Sequence, residues 1–180
     1  NIAMGLNGIL FMPAMALGMA ATIRIGFRIG AAEVVDARTT AALALMTTVL
    51  IALSGSVFIY LFRFDLVGFY TKDVAVAGLA AELLLFVTFF LILDAIQSTA
   101  AGALRGYKDT RAPMWIALFS FWVIGMPLEC ILGFGLIGEP MGVYGFWIGI
   151  SIGVGTAALL ISMRLWKTSN NPARIRQLAG

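Results

Sequence analysis

The sequence contains no histidine and a single cysteine, Cys130, which lies in an apolar run. Histidine and cysteine supply most transition-metal ligands and many catalytic bases and nucleophiles. Their scarcity excludes a disulfide within this chain, a Cys/His metal site and a Cys/His catalytic pair. A membrane-embedded enzyme would need paired carboxylates or an activated nucleophile. Since no such residues converge in the sequence, we expect neither an enzyme nor a bound cofactor.

Charge is scarce as well. Only 12% of the 180 residues are charged and 61% are hydrophobic, with a mean hydropathy of +0.99. Ordinary soluble domains carry about 25% charged residues, so the composition predicts an integral membrane protein whose main surroundings are the lipid bilayer. The basic residues lie near the ends of apolar stretches and in the tail, and not on a soluble face interleaved with aromatic residues, which argues against nucleic-acid binding.

Five apolar stretches are each long enough to cross the hydrocarbon core, which is about 30 Å thick and needs about 20 helical residues. They span residues 2–27, 39–62, 76–104, 113–134 and 143–165. Short polar connections separate them, and each contains a turn former or a helix stop. We therefore expect an all-α, polytopic membrane protein, with one transmembrane bundle over residues 1–166 and a tail over 167–180.

Basic residues are distributed unevenly between the two sides of this predicted bundle. Ten of the twelve lie on one side: Arg24, Arg28, Arg38, Arg105, Lys108, Arg111, Arg164, Lys167, Arg174 and Arg176. The other side holds Arg63 and Lys72. Because Lys and Arg accumulate in cytoplasmic loops, the C-terminal tail is predicted to be cytoplasmic and the N-terminus external or periplasmic.

The chain begins at Asn1 without an initiator methionine and enters an apolar stretch almost at once. No basic region of the kind that opens a signal peptide precedes that stretch. An odd number of spans also fits badly with the paired repeats of many transporters. We therefore expect these residues to be the end of a longer protein.

Asp94 is the most informative residue, because it is a lone carboxylate inside an apolar run. Glu82 lies twelve residues before it and Arg105 eleven residues after it, which places Asp94 roughly 17 Å from each along a helix. That depth is the middle of the bilayer. A carboxylate there costs at least about 2.5 to 3.5 kcal/mol and is tolerated mainly where it faces protein, water, an ion or a substrate. The position favours binding or proton exchange over a purely structural pair.

The next helical turn adds polar groups on the same face, because Gln97, Ser98 and Ala101 follow Asp94 at i+3, i+4 and i+7. Such a face is not expected to contact lipid. For Gln97 and Ser98 two interpretations remain open. They line a binding site with Asp94, or they form interhelical hydrogen bonds that hold the bundle together, which is the more common role of such residues.

Glu129 is the second carboxylate within an apolar stretch, and it follows Pro127 by two residues. Proline lacks an amide hydrogen and its ring clashes with the preceding turn, so the helix is predicted to kink there. Glu129 lies about 24 Å along its helix from Pro113, near the predicted outer interface. We interpret it as a vestibule carboxylate, with a role in ion or substrate access as the alternative.

Two further patterns predict contacts between helices. Gly145, Gly149 and Gly153 repeat every fourth residue, a spacing that lets two helix backbones approach closely. Asn1 and Asn7 are polar residues of the first apolar stretch. Lipid would penalise both, so they are predicted to face the interior of the bundle and to form interhelical hydrogen bonds there.

Several segments together resemble the C-terminal lobe of a multidrug and toxic compound extrusion (MATE) transporter of the NorM-type branch. They are A-A-T-I-R-I-G-F-R-I-G-A at 20–31, D-A-I-Q at 94–97, G-A-L-R-G-Y-K-D-T at 102–110, F-W-V-I-G-M-P-L at 121–128 and G-F-W-I-G at 145–149. Each segment is short and unspecific alone. Their order, spacing and placement at predicted helix ends make the joint resemblance strong over nearly the whole chain.

The resemblance implies a bacterial inner-membrane transporter of two six-helix lobes that exports lipophilic, mostly cationic drugs in exchange for Na⁺ or H⁺. This chain would supply helices eight to twelve, most of one lobe, and its partner would be the N-terminal lobe of the same protein. In NorM-type members the equivalent of Asp94 is a carboxylate linked to cation and substrate. The resemblance therefore implies a site at Asp94, Phe90, Gln97 and Ser98, with Asp94 as a Na⁺ ligand.

This sequence departs from the family pattern in two ways. Some relatives have a tyrosine four residues before the aspartate, whereas Phe90 here lacks that hydroxyl group. The glutamate that accompanies the aspartate in the family belongs to helix seven, before Asn1. A complete Na⁺ site therefore cannot be formed from this chain, and the coupling ion stays open between Na⁺ and H⁺.

Two other functions are compatible with a membrane bundle. A lipid-linked oligosaccharide flippase of the same superfamily would handle an anionic pyrophosphate carrier and should place Arg or Lys within the membrane. All twelve basic residues of this chain lie at helix ends or outside the apolar stretches, which disfavours a flippase. A structural or channel subunit that transports nothing is the other alternative, and Asp94, Gln97 and Ser98 argue against it.

Overall fold

The computed structural model describes residues 2–171, 173 and 175, with the side chains of 2–4 and 6 left undescribed. All described elements are helical: α1 (Ile2–Gly30), α2 (Val34–Tyr70), α3 (Val74–Gly106), α4 (Arg111–Phe119), a π-helical segment (Ser120–Gly125), α5 (Met126–Phe134) and α6 (Val143–Ser169). Since α4, the π-helical segment and α5 are continuous, they form one crossing. The described part of the chain thus has five helices long and apolar enough to span a membrane, and the prediction of an all-α fold with five such helices is confirmed.

The helices are longer than the apolar stretches that predicted them. The largest difference is at α2, which contains 37 residues and is therefore about 55 Å long. Arg38 and Arg63 were predicted to lie in connections, but both are helical. The apolar pattern marks where hydrocarbon begins and ends, whereas a helix stops only where its backbone is interrupted. For α2 that interruption is Thr71, which has extended backbone angles, followed by Asp73, whose carboxylate accepts hydrogen bonds from the first amides of α3.

The other end of the chain differs in the same way. Helix α6 continues to Ser169, so the first residues of the predicted tail, starting at Lys167, are helical. Ile175 is buried and packs against the core. Residues 172, 174 and 176–180 of the predicted tail, which include Arg174 and Arg176, lie outside the described residues.

Helix α3 is the centre of the bundle and packs against α1, α2 and α6. Helices α1 and α3 run parallel, and their backbones meet at two glycines. A methyl group added to Gly102 would lie 2.8 Å from the carbonyl carbon of Gly18, a distance that real side chains do not adopt. The Thr22 hydroxyl group donates a hydrogen bond to the Gly102 carbonyl across this contact, at 2.7 Å. A larger residue at position 102 would therefore separate the two helices.

Hydroxyl groups also join α2 to α3. The side chains of Thr48 and Thr99 share a hydrogen bond of 2.9 Å, and both are completely buried. Two to three turns further out, Ser56 donates to the carbonyl oxygen of Thr88 at 2.7 Å. An unpaired polar group in hydrocarbon is costly, so these bonds fix the register of α2 against α3.

The predicted close packing of the glycine row on α6 is confirmed. A methyl group at Gly149 would lie 2.5 Å from the amide nitrogen of Glu129, and one at Gly153 would lie 2.9 Å from the α-carbon of Gly125. Gly145 faces the backbone of Leu132 in the same manner. Helices α5 and α6 therefore pack backbone to backbone over two turns.

Pro127 lies two residues after the end of the π-helical segment, in the first turn of α5. Its predicted effect was a kink, and the structure places a widened turn at this point, where the Met126 amide bonds to the carbonyl of Phe121, five residues back. Proline removes one amide donor and its ring displaces the carbonyl four residues earlier. Bonding over five residues accommodates that displacement, and such segments are often found at functional sites.

The connection between α3 and α4 permits a test of the predicted orientation. Asp109 in this connection is buried and forms an ion pair with Arg164 of α6 at 2.7 Å, whereas Thr110 is exposed and makes no side-chain capping bond. We predict that Thr110→Cys is labelled only from the cytoplasm and Lys72→Cys only from outside. A membrane-impermeant maleimide applied to intact cells and to inverted vesicles measures both. Labelling of the Thr110 position in intact cells would show that the predicted orientation is inverted.

Candidate functional site

Asp94 lies in the middle of α3, half-buried, between two contacts that α3 makes with different helices. One turn earlier, the ring of Phe90 packs edge-to-face on Trp147 of α6, with 5.8 Å between ring centroids. One turn later, the backbone of Ser98 packs against Gly18 of α1. Helices α1 and α6 hardly contact each other. The Asp94 side chain therefore lies on the part of α3 that faces the opening between α1 and α6.

The carboxylate of Asp94 makes no hydrogen bond or ion pair with any described residue. The ion pairs of the described residues lie near helix ends instead, at Arg28 with Glu33 and Asp36, and at Arg164 with Asp109. A carboxylate at this depth is stable only with a proton, a cation or a further polar group beside it. Both oxygens of the Asp94 carboxylate are thus free of partners among the described residues and available to a ligand.

Gln97 and Ser98 are half-buried on the same side of α3. Neither side chain makes an interhelical hydrogen bond with the described residues, so the interpretation that they hold these helices together finds no support among them. Threonine performs that role: Thr99 bonds to Thr48 and also to the Ala14 carbonyl oxygen at 3.4 Å. The alternative, that Gln97 and Ser98 line a binding site with Asp94, stays a prediction.

Phe90 is 6% exposed and belongs to the apolar core between α3 and α6. It supplies no oxygen ligand, as expected from the missing hydroxyl group. No group of three or more Asp, Glu, His or Cys side chains suited to a metal ion occurs among the described residues. Asp94 could therefore contribute one carboxylate to a Na⁺ site, and the other oxygen ligands that a hard cation needs would have to come from elsewhere.

Two other predicted positions are separated from Asp94. Asn7 of α1 is buried and its side-chain oxygen has no hydrogen-bond partner among the described residues. Since α1 runs parallel to α3, Asn7 lies about one helical turn from the level of Asp94. Asn1 lies outside the described residues.

Glu129 is half-buried where α5 packs on α6, beside Gly125 and Gly149, and is not brought to the Asp94 site.

An apolar groove of about 690 Å³ lies between α3 and α6. Phe86, Phe89 and Leu93 of α3 form one wall, and Ile148 and Ile152 of α6 form part of the other. Asp94 does not line it, because on a helix the next residue after Leu93 points about 100° away. The groove and the carboxylate are therefore on different sides of α3.

Comparison with known proteins gives the chain its family. The family model MatE matches residues 1–131. "Multidrug resistance protein MdtK" of Proteus mirabilis is 37% identical over 92% of this chain and 36% of that protein. The protein of the same name from Yersinia enterocolitica is 38% identical over 99% of this chain and 40% of that protein. The chain thus spans about two fifths of the length of these relatives.

Solved structures agree in fold. The eukaryotic MATE transporter AtDTX14 matches with a TM-score of 0.85 at 22% identity, over 97% of this chain and 39% of that one. An outward-facing structure of a multidrug resistance MATE family transporter matches with a TM-score of 0.82 at 21% identity, over 99% and 38%. With the family model covering most of its length and relatives above one third identity, this chain belongs to the MATE family.

Proposed function

We propose that this chain forms most of one lobe of a multidrug efflux antiporter, which exports lipophilic, mostly cationic compounds in exchange for Na⁺ or H⁺. The observation that carries the proposal is the unpaired carboxylate of Asp94 at mid-span in a member of this family. Relatives of this chain bear the name of a multidrug resistance protein. The partners in this proposal are the lipid bilayer, the drug and the remaining helices of the transporter.

The proposed mechanism is competition at one carboxylate. An ionised Asp94 attracts a cationic drug or the coupling ion, and the presence of one weakens binding of the other because a single negative charge is shared. Protonation or Na⁺ binding from outside then displaces the drug, while rocking of the two lobes alternates access. Gln97 and Ser98, whose side chains make no hydrogen bond with the described part of the other helices, are proposed to supply further polar contacts to the ligand.

The bacterial relatives support placement in the inner membrane as a multi-pass protein, with the C-terminus proposed to be cytoplasmic. A flippase for lipid-linked oligosaccharides finds less support. Its anionic substrate would require a basic side chain near the middle of the spans, and the described basic residues lie at their ends.

Transport by the full-length protein in proteoliposomes tests the proposed function. Either a Na⁺ gradient or a proton gradient is imposed, and we expect ethidium to move in the direction opposite to the flow of the ion. The gradient that drives ethidium movement identifies the coupling ion. Vesicles without protein, and vesicles with both gradients collapsed, provide the background. Absence of ethidium movement under either gradient, with correctly inserted protein, would contradict drug antiport and favour the flippase or a structural subunit.

A further inference from the structure

A second pocket lies between α1 and α2, away from Asp94. It has a volume of about 400 Å³ and opens at the end of the bundle that carries most of the basic residues. Arg24 and Arg28 line it from α1, Thr47 lines it from α2, and Leu17 and Leu43 line its deeper part. Both arginines belong to the segment R-I-G-F-R at 24–28, which the proposed transport mechanism does not use.

The two arginines differ in their electrostatic surroundings. Arg28 forms ion pairs with Glu33, and with Asp36 at 3.3 Å, so its charge is compensated within the chain. Arg24 lies one turn deeper, is exposed, and makes no hydrogen bond or ion pair with any described residue. The pocket therefore contains one guanidinium group, that of Arg24, whose donors are all free of described partners. The nearest carboxylates, those of Glu33 and Asp36, are paired with Arg28 instead.

The hydroxyl groups that line the pocket further limit which donors are available to a ligand. Thr40 donates to the Asp36 carbonyl oxygen at 2.8 Å and Thr39 donates to the Val35 carbonyl oxygen at 3.1 Å, so neither proton is available to a ligand. Thr47, by contrast, makes no hydrogen bond with the described residues. Thr47 lies near the level of Leu17, because α2 runs antiparallel to α1, and is therefore about 10 Å deeper than Arg24. The free donors near the pocket opening thus come from the Arg24 guanidinium group, which suits an anion with several acceptor oxygens.

The pocket changes from basic to apolar with depth. Leu17 lies seven residues before Arg24 on α1, which is about 10 Å deeper along the helix. The small side chains of Ala20, Ala21 and Ala44 line the space between them. A ligand that fills the pocket therefore needs an anionic group at the membrane surface and a hydrocarbon chain below it.

We propose that this pocket binds a phospholipid, with its phosphate group on Arg24 and part of an acyl chain beside Leu17 and Leu43. Guanidinium groups bind phosphate through paired hydrogen bonds, and basic pockets between membrane helices on the cytoplasmic side are suited to anionic headgroups. Glu33 and Asp36 are paired with Arg28, so the carboxylates near the pocket already have a cation beside them, whereas the charge of Arg24 is not compensated by a described residue. An anionic lipid is therefore preferred to a zwitterionic one. The proposal rests on the cytoplasmic orientation of this end and is independent of drug export.

Native mass spectrometry of the full-length protein in detergent tests the proposal. Phosphatidylglycerol and phosphatidylcholine are titrated separately, and the matched variants are Arg24→Gln and Arg111→Gln. Both remove one exposed arginine from the same predicted side, and Arg111 does not line the pocket. We expect Arg24→Gln to weaken phosphatidylglycerol binding about fivefold, the worth of one basic residue at a membrane surface. Arg111→Gln and binding of phosphatidylcholine should change little, and Arg24→Lys should retain most of the affinity.

Three results would overturn the proposal. Equal affinity of wild type and Arg24→Gln would exclude Arg24 as the phosphate ligand. An equal loss in both glutamine variants would indicate a general effect of surface charge. Displacement of phosphatidylglycerol by millimolar inorganic phosphate would show that the pocket takes a free anion and that the apolar part contributes nothing.

Discussion

Replacing Asp94 with asparagine is expected to reduce drug export to the background of cells without the transporter, while insertion and folding stay intact. Asparagine keeps the shape of the side chain and removes the charge that drug and coupling ion are proposed to share. Because the Asp94 carboxylate bonds to none of the described residues, the substitution breaks no contact among them. Resistance and ethidium efflux are measured at matched expression of the full-length protein.

Glu129→Gln provides the matched control for this experiment. It neutralises the other carboxylate within a span, which lies beside Gly149 and not near Asp94. We expect this variant to retain most of the efflux. Undiminished efflux by Asp94→Asn would contradict exchange at that carboxylate, and an equal loss in both variants would indicate that neutralising any intramembrane carboxylate is harmful.

The second large effect is expected at the contact between α1 and α3. Gly102→Ala places a methyl group 2.8 Å from the carbonyl carbon of Gly18, so the helices must separate and the Thr22 hydrogen bond to the Gly102 carbonyl must lengthen or break. Overpacking of this kind costs typically about 1–3 kcal/mol. We expect a lower midpoint of thermal unfolding and less monodisperse protein, as measured by fluorescence-detected size-exclusion chromatography after heating.

Gly78→Ala is the control for this substitution, because Gly78 lies on the same helix and a methyl group there would meet no atom within 4 Å. Alanine also has a higher helix propensity than glycine by about 1 kcal/mol, so this variant should be at least as stable as wild type. If Gly102→Ala were as stable as Gly78→Ala, the close approach of the two backbones would not exist in the folded protein.

The apolar pattern predicts how many times the chain can cross a membrane, because hydropathy depends on composition alone. It predicts helix ends less well. In α2, Arg38 and Arg63 were assigned to connections because they are charged, yet charged residues with high helix propensity continue a helix beyond the hydrocarbon. Backbone signals such as Thr71 and Asp73 end and restart the helix, and they were weaker in the sequence than the charges.

For the polar residues of α3, too, some features could be predicted from the sequence and others could not. Position 94 could be identified from depth, because a carboxylate in hydrocarbon is costly wherever it faces. The partners of Thr99 could not be identified, because they depend on the rotation of each helix about its axis. Thr99 makes the interhelical bonds that Gln97 and Ser98 were considered for. A threonine carries little hydropathy signal, so hydropathy provided no reason to prefer Thr99 over its polar neighbours.

The arginines of the first helix illustrate the same limit. Arg24 and Arg28 lie one turn apart and contribute equally to the count of basic residues that predicts orientation. Only the folded chain distinguishes them, since the turn after α1 brings Glu33 and Asp36 to Arg28 and leaves Arg24 without a described partner.

Helix α3 holds the bundle together through Thr88, Thr99 and Gly102, and none of these residues belongs to the face of Asp94 and Gln97. The positions that maintain the fold are thus different from those proposed to meet the transported compound. Substitutions at positions such as 97 can therefore accumulate without a loss of stability. This separation would give a lineage room to change the compounds that it is proposed to export while keeping one scaffold.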